Sequence, residues 1–353
     1  MFQHQRDSKI LVPLDGSKRA EQAIPVAARI AQYCGGSVVL LHAVAIPSKY
    51  GPYLYESLVS QSPIFLQQVL DLETAKSQQY LADVAHSGDL VDMKTETVTL
   101  NGEAAPIILD VARDQHIDLI VMCSHGHTGF RRWMMGSVAQ KVALQSPVPV
   151  LVLRDGGPTP THSFPDHQRP LRSLMALVPL DGSESAEAAL VPATQLITAS
   201  TAPAHGILQL TRVIPFPACE QNDAQRRTDL VAKEQAVCEA EWYLHEVADC
   251  LRSGNITHLR VGVVCSIAEG KDVAEALIRI AEHGEALEST GLLGSCDLLV
   301  MATHGLSGMQ RLVMGSVTER VLQATKLPIL IVRACRSHQV PYGHSLLQET
   351  PPL

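Results

Sequence analysis

The feature that most constrains this chain is that it is written twice. VPLDGS at residues 12–17 recurs unchanged at 178–183. DLIVMCSHGHTGFRRWMMGSV at 118–138 returns as DLLVMATHGLSGMQRLVMGSV at 297–317, with twelve of 21 positions identical. The ends match too: SPVPVLVLR closes the first copy at Arg154 and TKLPILIVR closes the second at Arg333. A length of 353 residues suits two domains of roughly 150 residues each. The expected layout is a first domain at 1–154, a linker at 155–171, a second domain at 172–334 and a tail at 335–353. Pro158, Pro160, Pro165 and Pro170 with Gly156 and Gly157 give the linker a composition that suits neither a helix nor a central strand.

Within each copy strand-like and helix-like patterns alternate. Residues 9–14 form a short apolar strand ending in Asp15-Gly16-Ser17, a helix-start signal. Ala20, Ala23, Ile24, Ala27, Ala28 and Ala31 follow at helical spacing, until Cys34-Gly35-Gly36 stops the helix. A β-rich run at 37–46, a long helical stretch near 56–86, a strand at 91–100 and a helix at 104–116 come next. A buried strand at 119–123, a helix at 136–145 and a strand at 148–153 complete the copy. Near-continuous Val/Ile/Leu strands alternating with helices call for a parallel sheet covered on both faces. Asp15 to Gly126 spans 111 positions and Asp181 to Gly305 spans 124; the extra length falls largely at 283–296, read as a surface loop.

Composition excludes several classes. A formal net charge of −8 argues against a nucleic-acid binder, which needs a positive footprint. No apolar run approaches the roughly 20 residues that span a bilayer, and MFQHQRDSKI lacks the apolar region of a secretory signal. The expectation is a cytoplasmic protein without a membrane partner. Eight scattered cysteines with no C-x-x-C pair read as small buried hydrophobes, not as a disulfide framework or metal site.

Two features recur just after strand ends: Asp15 (Asp181) after strand 1, and Gly126 with Gly136-Ser137 (Gly305 with Gly315-Ser316) after strand 4. In open α/β sheets ligands bind beyond the carboxyl ends of strands, where the strand order reverses. If strands 1 and 4 are neighbours there, acid and glycines face one crevice. Glycine lets backbone N–H groups approach an anion, and a helix start favours phosphate. Ser137 and Ser316 can add a hydroxyl donor while capping that helix. An acid at the other edge repels phosphate and suits a sugar hydroxyl or base amine. A nucleotide satisfies both ends. Each motif is also explained by turn and cap chemistry alone. His125 and His127 look like a metal pair, but Leu306 stands at the second position of the other copy, and a loop histidine is the better reading. Arg131, Arg132 and Arg311 read as solvated surface arginines, and Tyr50, Tyr53 and Tyr55 as loop packing.

Residues 12–17, 118–138 and 148–154, with their second-copy partners, resemble the universal stress protein family, in its tandem form. The resemblance covers nearly all of both copies. Its ATP-binding subgroup carries G-x-x-G, nine residues, then G-[S/T]. Gly126, Gly136 and Ser137 match the later part, as do Gly305, Gly315 and Ser316; the leading glycine is replaced by Cys123 and Ala302. The resemblance implies a Rossmann-like, doubly wound domain of five parallel strands in each copy, with strands 1 and 4 side by side. It implies ATP, with Mg2+ as a companion, as cofactor, held by Asp15, Ala43, Gly126, Gly136, Ser137 and Val138. The second set is Asp181, Arg212, Gly305, Gly315, Ser316 and Val317, where Arg212 stands for Ala43 on an alignment of TRVIPF with HAVAIP. It further implies pairing of the two copies through their last strands into an internal pseudo-dimer, and leaves room for a homodimer of chains. The leading expectation is an ATP-binding stress or signalling module. A slow ATP hydrolase or phosphotransferase, for which no Walker-type loop is present, and a nucleotide-independent interaction or assembly protein are the alternatives.

Overall fold

A computed structural model describes residues 8–44, 63–124, 135–154, 173–201, 206–215, 223–254, 261–287, 291–304 and 314–333. In the first half these form β1 (Lys9–Leu14), α1 (Ala23–Cys34), β2 (Ser37–Val44), α2 (Pro63–Ala85), β3 (Thr95–Asn101), α3 (Ala104–Asp114), β4 (Leu119–Cys123), α4 (Ser137–Gln145) and β5 (Val150–Leu153). The second half continues with β6 (Met175–Pro179), α5 (Glu184–Glu187), α6 (Leu190–Thr201), β7 (Ile207–Pro215), α7 (Asp223–Arg252), β8 (Gly262–Gly270) and α8 (Val273–His283). It ends with β9 (Glu285–Leu287), β10 (Gly291–Leu293), β11 (Leu298–Ala302), α9 (Ser316–Ala324) and β12 (Ile329–Val332).

Ten strands form one sheet in the order β3-β2-β1-β4-β5-β12-β11-β6-β7-β8. Each half supplies five strands, parallel among themselves, and β1 lies beside β4 as β6 lies beside β11. The chain order reverses at those neighbours, which is where a doubly wound sheet opens a crevice. Central strands are buried along their length, as Val121 and Leu151 illustrate at 0% exposure. Their apolar character on both faces is what a sheet covered twice requires. Alternate residues feed two cores. Ile10, Val12 and Leu119 pack with α1, α2, α6 and α7, whereas Leu11, Ile120 and Val150 pack with α3, α4, α8 and α9.

The halves meet through β5 and β12, which run antiparallel with Leu151 opposite Leu330. Neither partner exposes any surface. Two arginines cross this seam in matching ways: Arg154 donates to the Leu322 carbonyl on α9, and Arg333 to the Gln145 carbonyl ending α4. Each places a cation at the negative end of the other half's last helix. Burial draws the Arg154 guanidinium down to about 10, partly offset by Glu282. On the opposite face Arg29 on α1 donates to the Ser200 carbonyl on α6 at 3.0 Å.

Several expected elements shift. Residues 91–94 belong to a turn, because Gly88–Leu90 make a short 3-10 helix and β3 starts at Thr95. The α1 helix begins only after a 3-10 turn at Ala20–Gln22 and stops at Gly35, whose φ of 63° supplies the left-handed cap. The 283–296 insertion is not a loop alone: β9 and β10 pair as an antiparallel hairpin. Cysteine burial is also uneven. Cys123 and Cys296 are buried, but Cys238 is exposed on α7. The 155–171 linker and the 335–353 tail lie outside the described residues.

Candidate functional site

The Asp-Gly-Ser turns that follow β1 and β6 are built alike. Asp15 Oδ1 accepts from the Ser17 N–H at 3.0 Å and from Ser17 Oγ at 2.6 Å, and Asp181 holds Ser183 at the same two distances. Each serine hydroxyl then accepts the N–H three residues on, from Ala20 and Ala186, at 3.1 Å. The intervening Gly16 and Gly182 sit at φ +80° and +88°, a region that side chains rarely adopt. The motif is therefore a turn and a cap, and it also fixes the orientation of a half-buried carboxylate at the carboxyl end of the strand.

The second element is the start of the last helix. Gly136 and Gly315 are themselves the N-cap residues, in extended conformation and without a side-chain cap. Ser137 and Ser316, expected to cap, instead occupy the first helical position with exposed side chains. A glycine cap offers no oxygen to the first-turn N–H groups, so they remain directed outward as anion donors. Each glycine is tied back to its strand: Gly136 donates to the Ser124 carbonyl and Gly315 to the Thr303 carbonyl, both at 2.8 Å. These bonds bring the helix start to the end of the strand beside β1 or β6.

In the second half a cavity of about 140 Å³ lies where these parts converge. Asp181 borders it, as do His304, Gly315, Ser316, Val317 and Thr318. Thr211 and Val213 of β7, Val273 and Leu277 of α8, and Met301 and Ala302 of β11 also line it. Strand register corrects one expected residue. Pro13 lies opposite Leu41 in the first half and Pro179 opposite Thr211 in the second, so Thr211 corresponds to Leu41 and Val213 to Ala43. Arg212 corresponds to His42 and does not line the cavity. Its guanidinium stands over Gly182 on the opposite face and caps the Tyr243 ring at 5.4 Å. The sequence alignment failed by one residue because the segment between strands 1 and 2 differs in length between the halves. No sequence signal marks Val213; only the ladder counts it.

Beneath the cavity the two halves differ in polarity. Gln209 Nε2 donates to Ser266 Oγ at 3.1 Å, Thr211 Oγ1 and Ser266 Oγ are 2.8 Å apart, and the Cys296 thiol donates to Gln209 Oε1 at 3.5 Å. All four are buried. Register gives Val39, Leu41 and Val98 as their counterparts in the first half, and the repeat adds Ile117 for Cys296.

On the face opposite the cavity a tyrosine from the long helix meets the β–α turn of each half. Tyr80 donates to Glu21 at 3.2 Å and Tyr243 to Glu187 at 2.8 Å. His42 stacks edge-on to Tyr80, centroids 5.9 Å apart, and its Nδ1 lies 2.5 Å from Ser77 Oγ. Burial raises both phenols, the neighbouring carboxylates adding to the shift. Burial also raises the Glu187 carboxyl, against the lowering effect of the Tyr243 hydrogen bond.

A model of the universal stress protein family matches residues 8–154 and 175–333. This chain belongs to that family. Among its universal stress protein relatives, YxiE of Bacillus subtilis is 29% identical over 151 residues, 42% of this chain and 99% of YxiE. Slr1230 of Synechocystis is 25% identical over 339 residues, 92% of this chain and 99% of its own length. A universal stress protein structure from Archaeoglobus fulgidus matches the fold with a TM-score of 0.55 at 16% identity, covering 94% of this chain and 98% of that one.

Universal stress protein motif positions that depart from the resemblance acquire defined roles. Cys123 donates its thiol to the Arg19 carbonyl at 2.8 Å, tying the end of β4 to the turn after β1. Ala302 borders the second-half cavity directly. Ala43 is half-buried on β2, Val138 is exposed at the second position of α4, and Val317 lines the cavity. Gly126, Gly305, His125, His127, Arg131, Arg132, Arg311, Tyr50, Tyr53 and Tyr55 lie outside the described residues.

Proposed function

We propose that this universal stress protein is an adenine-nucleotide-binding module, with ATP as the ligand and Mg2+ as its companion, whose occupancy controls conformation or partner choice in a stress response. The observation that carries the reading is the pairing, twice in one chain, of an uncapped helix start with an oriented aspartate across β1 and β4, and across β6 and β11. The first-turn N–H groups of α4 and α9 suit phosphate oxygens. Asp15 and Asp181, held by their serines, suit the hydroxyls of a ribose or an amine on a base. Val213, and by register Ala43, stand where a base edge meets the second strand. When bound, ATP supplies a polyanion to one side of the crevice and a heterocycle to the other; the chain's contribution is to seat both. The second-half cavity is lined both by the start of α9 and by the apolar residues Val213, Val273 and Leu277, a mixture that suits a ligand with a charged end and a flat heterocycle.

Denaturing freshly purified protein and identifying the released small molecules tests the reading. Adenine nucleotide near two per chain supports both sites, and near one supports a single site. Recovery of none, together with no heat of binding on titration with millimolar Mg-ATP, rejects it in favour of a nucleotide-independent assembly protein. Recovered ADP moves slow hydrolysis forward.

A further inference from the structure

The inner face of α7 is anchored on the sheet by Ala240, Leu244, Val247, Ala248 and Leu251, all buried. From Leu230 to Glu239 no residue is buried, although the helix runs unbroken over Asp223–Arg252. A period of 3.6 residues places Val231, Gln235, Cys238 and Trp242 in one row, on the side away from the inner face. All four are exposed, Val231 at 62% and Trp242 at 57%. In α2 the same row, aligned on Tyr80 and Tyr243, reads Gln68, Leu72, Ala75 and Gln79. The apolar ends of the row, Val231 and Trp242, are therefore particular to the second half, and the shared fold does not require them. An apolar row of this kind, with a tryptophan in it, suits a surface that another protein covers.

The charges along the helix select the occupant. Arg227 stands eleven positions before Cys238, and Asp249 eleven after it. Eleven residues are about three turns, so both positions return to the row of Cys238. A second α7 running antiparallel, with the two Cys238 positions at the centre, opposes Arg227 of each protomer to Asp249 of its partner. It also seats Trp242 of each protomer in its partner's row between Val231 and Cys238. Parallel pairing opposes like charges instead. We propose that the outer face of α7 joins two copies of this chain, antiparallel about a twofold axis through Cys238, with Trp242 as the anchor. Such an interface is self-complementary, as a closed twofold dimer demands. The β5–β12 seam joins the halves within a chain; α7 joins chains. The proposal stands apart from the nucleotide reading.

Sedimentation velocity of the full-length chain over a dilution series should show dimer giving way to monomer. Trp242→Glu should weaken the dimer by at least about tenfold, the scale of a tryptophan central to an interface. Arg227→Glu and Asp249→Arg should each weaken it by about two- to fivefold, and the double variant should regain the parent affinity. That recovery keeps the test independent of any effect of Trp242→Glu on folding. A short bismaleimide should link two chains through Cys238, identified by mass spectrometry of the joined peptides. Cys238→Ser should lose this link and keep the dimer. A strict monomer at the highest concentration would assign the row to a different partner and overturn the proposal. A dimer untouched by Trp242→Glu, or losses that add in the double variant, would overturn it as well.

Discussion

The two halves share a fold, a turn and a helix start, yet the ground beneath their strand ends differs. Under the first, Val39, Leu41, Val98 and Ile117 form an apolar layer; under the second, Gln209, Thr211, Ser266 and Cys296 form a bonded polar one. On the other face His42 and Ser77 accompany Tyr80, whereas Arg212 accompanies Tyr243. Duplication preserved what the backbone requires, the Asp-Gly-Ser turn and the Gly-Ser helix start, because these are set by φ values and by N–H groups. It let side chains around the strand ends diverge, with Gln209, Thr211, Ser266 and Cys296 hydrogen-bonded among themselves in the second half. The lesson is that the backbone elements of the candidate site are inherited as a unit, while the side chains around it diverge separately in each copy.

The sharpest way to break the comparison is at the shared seam. Leu151→Ala and Leu330→Ala should each destabilise the chain by about 2–5 kcal/mol, the range for emptying a tightly packed leucine site. Since both leucines belong to one continuous sheet, calorimetry should show a single transition moving in either variant. Two transitions, one of them unmoved, would mean the halves unfold independently.

Placing a carboxylate at either helix start compares the two sites directly. Ser137→Glu and Ser316→Glu should each lower adenine-nucleotide affinity at their own site by at least about tenfold through repulsion of phosphate. Stability should hold or rise slightly, because an acid in a first helical turn is favourable by about 0.3–1 kcal/mol. Isothermal titration beside thermal unfolding separates the two effects, and a variant that loses both would point to a structural role only.

The polar layer is predicted to be neutral as a set and costly in pieces. Thr211→Val removes one of the two hydrogen-bond partners of Ser266 and should cost about 1–2 kcal/mol, whereas Gln209→Val, Thr211→Leu and Ser266→Val together should recover most of that loss. Chemical denaturation of single and triple variants decides it. If the losses add, the three residues do not act as a network. The smallest predicted loss of stability is at Arg212, where removal to Ala should cost about 0.5–1 kcal/mol by loss of the contact over Tyr243.

Glu187 supplies a pH signature. Burial raises its carboxyl above the ordinary value of 4.5, so the protonated form favours the folded chain. That contribution is complete below the ordinary value and is lost as pH rises through the raised one. Glu187→Gln should therefore melt above the parent near pH 7, with the gap closing toward pH 4. A gap that stays constant across this range would remove the titration of Glu187 as its cause.

From the linear sequence one can read the duplication, the β–α alternation, the position of Asp15 and Asp181 after a first strand, and the Gly-Ser pairs opening the last helices. These are local: they depend on periodicity, on glycine turns and on motif spacing, all of which neighbouring residues carry. The ten-strand order, with β5 against β12, depended on pairing between residues far apart in the chain, and so did the Leu151–Leu330 contact. Val213 in place of Arg212 emerged only from the strand ladder, since a one-residue slip turns a side chain to the other face of a sheet. Ser137 and Ser316 proved to be first-turn residues instead of caps because Gly136 and Gly315 adopt the extended cap conformation, a matter of dihedral angles. The polar layer was equally invisible in advance, because partners such as Gln209 and Cys296 are separated by 87 positions. Sequence determined which chemistry each strand end carries; tertiary structure decided which of those groups face one another, because facing is set by register and packing at distances no local pattern encodes.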